Sequence, residues 1–270
     1  MEFYSKTAVK IPPLVIMRDA NYFTCGSGYD AHLWLKPKAI RRSNGFVISD
    51  PDGSLSERYG KTFRRAGFSV KVLNTADLTK SVKYNPLMYI NGDGGIPKFV
   101  TALLNGTKGG GKPGDSNFLA AESLLLTALL SYMRVEAQDF ERNFRTLTEM
   151  LKSMEDAEEN GYEKNAVDFL FEDKAEAEPE HFSVKHYNNF KAAADKNKGS
   201  IIKSCADRIA PLDAEEMREF FSSDELNLKG LNFPLTALFV IAGNASGILN
   251  FVAPLMYSQL FDVLGESCSI

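Results

Sequence analysis

Two kinds of hydrophobic pattern alternate along this chain. Gly45–Ser49 is a short run rich in β-branched and aromatic residues, closed by Asp50-Pro51-Asp52-Gly53, and it reads as a buried strand. Ser54 suits a helix N-cap and Glu57 follows three residues on, so a capping box is expected to open a helix Leu55–Arg65 that Gly67 ends. Phe68–Leu73 then alternates as a second strand. Strand, helix and strand at this spacing predict a βαβ unit, with parallel strands and a right-handed crossover. A helix over Pro97–Leu104 leads into the loop Asn105–Asn117.

The middle of the chain has a helical period. Phe118–Val135 reads as a strongly apolar helix, Ala137–Met154 as an amphipathic one, and Phe182–Ala194 and Gly199–Ile209 as further helices. Between them Glu172–Glu180 reads as an exposed acidic loop. Strand signals return near Leu226–Leu228 and at Leu235–Ala242, followed by the apolar helix Ile248–Leu264. This order predicts an α/β sheet domain carrying an all-helical insertion, with segments 1–112, 113–222 and 223–270. Gly45–Ser49 and Leu235–Ala242 are expected in one sheet, with no strand inside Phe118–Ile209.

Composition narrows the class. With 270 residues, 44% hydrophobic and 24% charged, the chain can bury a core for one large domain or two. A net charge of −4 gives no whole-molecule attraction to nucleic acid and leaves room only for a local basic patch. Three cysteines without CxxC spacing argue against a disulfide framework or a zinc site and for reduced, cytoplasmic thiols. No membrane segment is expected. The most apolar stretch, Pro234–Leu264, is broken by Gly243, Asn244, Ser246 and Asn250 and belongs in a core.

Candidate chemistry begins at Thr24–Pro37, TCGSGYDAHLWLKP, a glycine-bearing turn of the kind that cradles phosphate. A second string, Gly106–Lys112, fits GxxxxGK in letters. Pro113 follows it instead of Ser or Thr, and it comes after a helix, so it reads as a surface loop. His181 and His186 stand five apart with no acid or Cys closing a site, which suits solvated or packing histidines, and His32 is isolated. Ser204-Cys205 reads as buried structure and Trp34 as a core anchor. Arg41, Arg42, Lys61, Arg64 and Arg65 could line a nucleic-acid path or simply solvate helix faces.

Five strings carry a family resemblance: FVISDPDGSLSERYGKTFRRAGFSVKVLN, YNPLMYI, DSNFLAAESLLLTALLSYM, NNFKAAADKNKGSIIKSCADRI and PLTALFVIAGNASGILNFVAPLMYSQLFDVL. In order and content they resemble the Gram-positive conjugative coupling proteins, the DNA-transfer ATPases of type IV secretion systems. The resemblance implies a P-loop NTPase-like (RecA-like) sheet domain and an all-alpha insertion that faces relaxosome, coupling-protein subunits or DNA. It also exposes departures. Matching Lys36-Pro37 to the family's Lys-Pro puts Asp30 at the phosphate-loop Lys and Ala31 at its Thr.

Asp30 would set a carboxylate against polyphosphate, a repulsion of roughly 4 kcal/mol at about 4 Å in an effective dielectric near 20. Asp52 and Ser54 replace the Lys and Glu of the family's Asp-Pro-Lys-Gly-Glu turn, Leu119 replaces a Trp, and Gly243-Asn244 replaces acidic residues. The Walker B strand is expected after Tyr257–Leu264, and the sequence ends at Ile270. The resemblance therefore implies a vestigial phosphate loop at Gly26, Ser27, Gly28, Asp30 and Ala31, with no catalytic residue and no metal ligand. ATP and Mg²⁺ are expected only where a partner subunit completes the site. The helix Ile248–Leu264 is expected to leave Phe251, Leu255, Leu260 and Phe261 partly uncovered and to promote self-association. The family's usual membrane helices are not seen in this sequence, so a cytoplasmic place at the inner membrane face through partners is expected.

Overall fold

The computed structural model describes residues 15–19, 22–26, 44–107, 116–229, 235–242 and 247–266. Its residues divide into two compact units.

In the first unit, described residues up to Val82 join 225–242 and 260–266. Five strands form one sheet: β1 (Val15–Asp19), β2 (Tyr22–Gly26), β3 (Asn44–Ser49), β4 (Ser69–Asn74) and β5 (Thr236–Ile241), in the order β2-β1-β3-β5-β4. β3, β5 and β4 are parallel, while β1 runs antiparallel to both β2 and β3. The two strands expected in one sheet are direct neighbours, Phe46 facing Ala237 and Ser49 facing Val240. The βαβ reading holds in direction but not in adjacency, because β5 lies between β3 and β4. The β1/β2 hairpin, with only Ala20 and Asn21 between its strands, was not anticipated. Met, Arg and Asp in β1 blur the alternation that marks a strand.

Helix α1 (Ser54–Arg65) covers one face of the sheet through Leu55, Tyr59 and Phe63 at a spacing of four residues. Phe63 is the hub of that core. Its ring meets Phe46 at 5.0 Å, Phe68 at 5.2 Å and Phe239 at 5.9 Å, all edge to face. The expected capping box is absent: Gly53 takes the N-cap position with φ 78°, and no side chain there caps the helix. Instead the carboxylate of Asp50 accepts hydrogen bonds from the backbone N–H of Leu55 (3.0 Å) and Ser56 (2.7 Å). The C-terminus follows its sequence signal. The Gly67 N–H donates to the Arg64 carbonyl and the Phe68 N–H to the Phe63 carbonyl, with Gly67 at φ 91°, which closes a Schellman motif. Leu226 and Leu228 are buried but form no strand; a bend and the start of a 3₁₀ turn replace it, with Asn227 at φ 49°.

The second unit contains Lys83–Asp224 and Gly247–Gln259. It holds α2 (Gly92–Gly106), α3 (Ser116–Glu136), α4 (Phe144–Glu159), α5 (Ala166–Ala177), α6 (Phe182–Ala194), α7 (Lys198–Ile209) and α8 (Glu215–Phe221). Among the described residues no strand interrupts Phe118–Ile209. α3 is buried around most of its circumference and packs against α6, α2 and α7. α4 starts later than expected, because Ala137–Arg142 turns back on itself and Asn143 caps the helix by accepting the Thr146 N–H. The acidic segment Glu172–Glu180 is not simply a loop. Its first half belongs to α5, whose capping box pairs Asn165 with Asp168 in both directions. Lys174 in the same segment is buried against Glu136 at 2.6 Å and Glu178 at 2.8 Å.

Asp168 also accepts from the Tyr187 hydroxyl (2.9 Å) and from Lys191 (3.3 Å). Burial pushes its carboxyl up, but the hydrogen bonds from Asn165 and Tyr187 and the Lys191 charge outweigh burial and hold it below its ordinary 3.8. A lowered carboxyl stabilises the fold above its unfolded pKa and loses that effect as pH falls through the folded value. Asp168→Asn should thus be less stable than the parent near neutral pH, with the difference shrinking below about pH 4. Urea unfolding of both proteins across the acid range measures this; a difference independent of pH would contradict it.

Helix α9 (Val252–Glu266) follows a 3₁₀ turn at Gly247–Leu249. Phe251, Leu255 and Leu260 are buried and only Phe261, 51% exposed, stays open, which corrects the expectation of an uncovered apolar face. Two segments, Ser116–Glu136 and Gly247–Leu264, are long and apolar enough to cross a membrane, yet more than half of each is buried within the protein.

Candidate functional site

The strand registers define one edge of the sheet. Val15 faces both Gly26 and Ile48, Ile48 faces Phe239, and Phe239 faces Val72, so β2, β3, β5 and β4 all end on the same side. Ligands of open α/β sheets bind beyond such carboxyl ends. Gly26, the first glycine of the glycine-bearing turn, is the last residue of β2 and stands at this edge. Ser27, Gly28, Asp30 and Ala31 lie outside the described residues, as do His32, Trp34, Arg41, Arg42 and Gly243-Asn244.

Two turns at the edge are closed by their own side chains. Asp50, fully buried, anchors itself to β5 through an N–H donated to the Val240 carbonyl and turns both carboxylate oxygens to the first turn of α1. That helix N-terminus, where backbone donors and dipole would favour an anion, already holds one. Asp52 accepts from the Ser54 N–H, and Ser56 donates to the Gly53 carbonyl. At the end of β4, Asn74 accepts from the N–H groups of Ala76 and Asp77, while the Thr75 N–H donates to Ile241. The basic residues Lys61, Arg64 and Arg65 are exposed on α1.

A second polar cluster, inside the helical unit, escaped the sequence reading. Arg208 donates to the carbonyls of Leu104 (3.1 Å) and Thr107 (2.6 Å), to the Thr107 hydroxyl (3.0 Å), and to Glu122 (2.9 Å). Ser204 donates to the other oxygen of Glu122. Arg208 and Glu122 are buried, at 5% and 1% exposure. One guanidinium therefore ties the C-terminus of α2 to α3 and α7. A lone Glu in AAESLLL and a lone Arg in SCADRI were the available signals, since such residues are rarely buried unless paired. Cys205 sits beside this cluster, and burial first, then the Glu122 charge, pushes its thiol well above the ordinary value.

The Gly106–Lys112 string starts here. Gly106 ends α2, Thr107 is held by Arg208, and residues 108–112 lie outside the described set. His181 Nδ1 pairs with Ser183, and His186 Nδ1 donates to the Phe182 carbonyl. Among the described residues no three His, Cys, Asp or Glu side chains converge to hold a metal.

A partly parallel sheet with its loops at one edge, joined to a block of helices inserted between β4 and β5, defines a mixed α/β protein. A family model described as type IV secretory system conjugative DNA transfer matches residues 34–268. The chain belongs to this family, and membership ties it to conjugative DNA transfer. No curated protein matches the chain.

Proposed function

We propose that the chain is a degenerate relative of the conjugative coupling ATPase, with a P-loop-type sheet frame, that serves type IV secretion as a binding module rather than as an autonomous ATPase. The observation that carries this reading is the sequence after Gly26, where Asp30 and Ala31 take the positions that the resemblance gives to the phosphate-loop Lys and Thr. At the same edge the N-terminus of α1 is occupied by the Asp50 carboxylate, an aspartate that the resemblance places in the family's own turn, so it offers no second phosphate site. Asp30 removes a charge-assisted phosphate contact and Ala31 the hydroxyl that would hold Mg²⁺. These residues do not fit Mg²⁺–ATP. The partners of the module are relaxosome or coupling-protein subunits, met through the helical unit.

Calorimetric titration tests the reading. The isolated protein should give no heat with Mg²⁺–ATP at micromolar concentrations. Asp30→Lys combined with Ala31→Thr should recover some binding without turnover, because no metal-organising acid is restored. Micromolar affinity or steady hydrolysis by the unmodified protein would overturn the proposal.

A further inference from the structure

We infer that the outward face of α5 docks a cationic, amphipathic helical segment of a partner protein. This rests on the binding-module reading above and names its surface and the partner's chemistry. α5 is apolar on two sides. Val167 and Phe171 are buried, and the Phe171 ring stacks on Tyr187 at 4.0 Å. Phe169 and Leu170, between them in sequence, are 53% and 37% exposed. With Ala166, Asp173 and Ala177, also exposed, they form a stripe at i, i+3, i+4, i+7 and i+11, the spacing that anchors a helix laid along another. A helix with one buried face has polar residues on the other, so the stripe is surplus to folding.

Charge selects what covers it. Residues 155–180 hold eleven acids against Lys164 and Lys174, which leaves −9; four of the acids pair with lysines outside the segment, Glu155 with Lys203, Glu158 with Lys198, Asp168 with Lys191 and Glu180 with Lys185, which leaves −5. Both lysines are engaged, Lys164 with Glu172 at 2.8 Å and over the Phe169 ring at 5.7 Å, and Lys174 with Glu136 and Glu178. Asp173 within the stripe is exposed, as are Glu159, Glu163 and Glu176. An apolar anchor pair in an acidic field repels nucleic-acid phosphates and attracts Lys- and Arg-rich polypeptide. A second copy of the same face would set acids against acids.

The test titrates the full chain into a fluorescein-labelled amphipathic peptide of Leu and Lys, into its Leu and Glu counterpart, and into short duplex DNA, reading anisotropy at low and high salt. The Leu/Lys peptide should bind and weaken with salt. Phe169→Ser with Leu170→Ser, and separately Asp173→Lys with Glu176→Lys, should each weaken it about tenfold or more, with the unfolding midpoint unchanged because these side chains are exposed. Equal peptide binding by both variants, DNA binding lost in the serine variant, or self-association lost in it would each overturn the assignment. ATP hydrolysis by the parent chain would sink the module reading alone, since the peptide result stands on the α5 variants.

Discussion

Arg208→Ala should lower the unfolding free energy by about 3–5 kcal/mol, the cost of leaving one partner of a buried ion pair without the other. The structure shows why the loss is large. A single guanidinium donates to Glu122, to two main-chain carbonyls and to the Thr107 hydroxyl, so its removal leaves a buried carboxylate and open backbone acceptors together. Arg208→Lys should recover little, because a point charge cannot reproduce four donations from a planar fork. Pairing Arg208→Met with Glu122→Leu should be far milder than Arg208→Ala, since apolar groups of similar volume replace a buried pair at little net cost. Urea unfolding of the four proteins decides it. A single alanine substitution costing under about 1 kcal/mol would show that the cluster is solvated in solution.

Gly106→Ala should be almost as damaging for a steric reason. A Cβ there would lie 2.4 Å from the Phe251 Cβ, 2.8 Å from its backbone nitrogen and 2.9 Å from its Cα. Those atoms belong to a buried backbone, so helix or turn must shift, at about 1–3 kcal/mol or more. Gly94→Ala in the same helix is the control. Its Cβ meets nothing within 4 Å, and it should stabilise by roughly 0.5–1 kcal/mol through reduced chain entropy. Thermal unfolding of both variants should move Tm in opposite directions; the same sign for both would remove the packing explanation. The first glycine of a string that spells a phosphate loop is thus required by a close approach of two backbones.

Where the sequence was legible, a short-range rule was enough. β3, β5, α6 and α7 follow local period and turn chemistry, and Gly67 ends α1 as its position implies. What was missed depends on residues far apart. The α1 cap comes from Asp50 and not from Ser54, because the Asp-Pro-Asp-Gly turn folds the strand end under the helix. β5 enters between β3 and β4 although the whole helical segment separates it from them in sequence, which no local pattern encodes. Acidic composition suggested a loop at Glu172–Glu180, yet a capping box and two carboxylates around Lys174 carry α5 into it. Of the candidate site, Gly26 is placed by the end of β2, whereas Glu122 and Arg208 needed the packing of three helices to meet.

The strand order also sets a timetable. Among the described strands β4 pairs with β5, Ser69 with Thr236, so during synthesis β3 and β4 emerge with the position between them vacant. Phe46, Phe63 and Phe68 can gather early, but Phe239, their fourth ring, arrives only after the whole helical segment has been made. Long-range parallel pairing of this kind is slow because loop closure precedes any compensating contact. The helices of the intervening segment can form their turns as they are made, but their packing on Phe251 also waits for chain beyond β5, so both units close late.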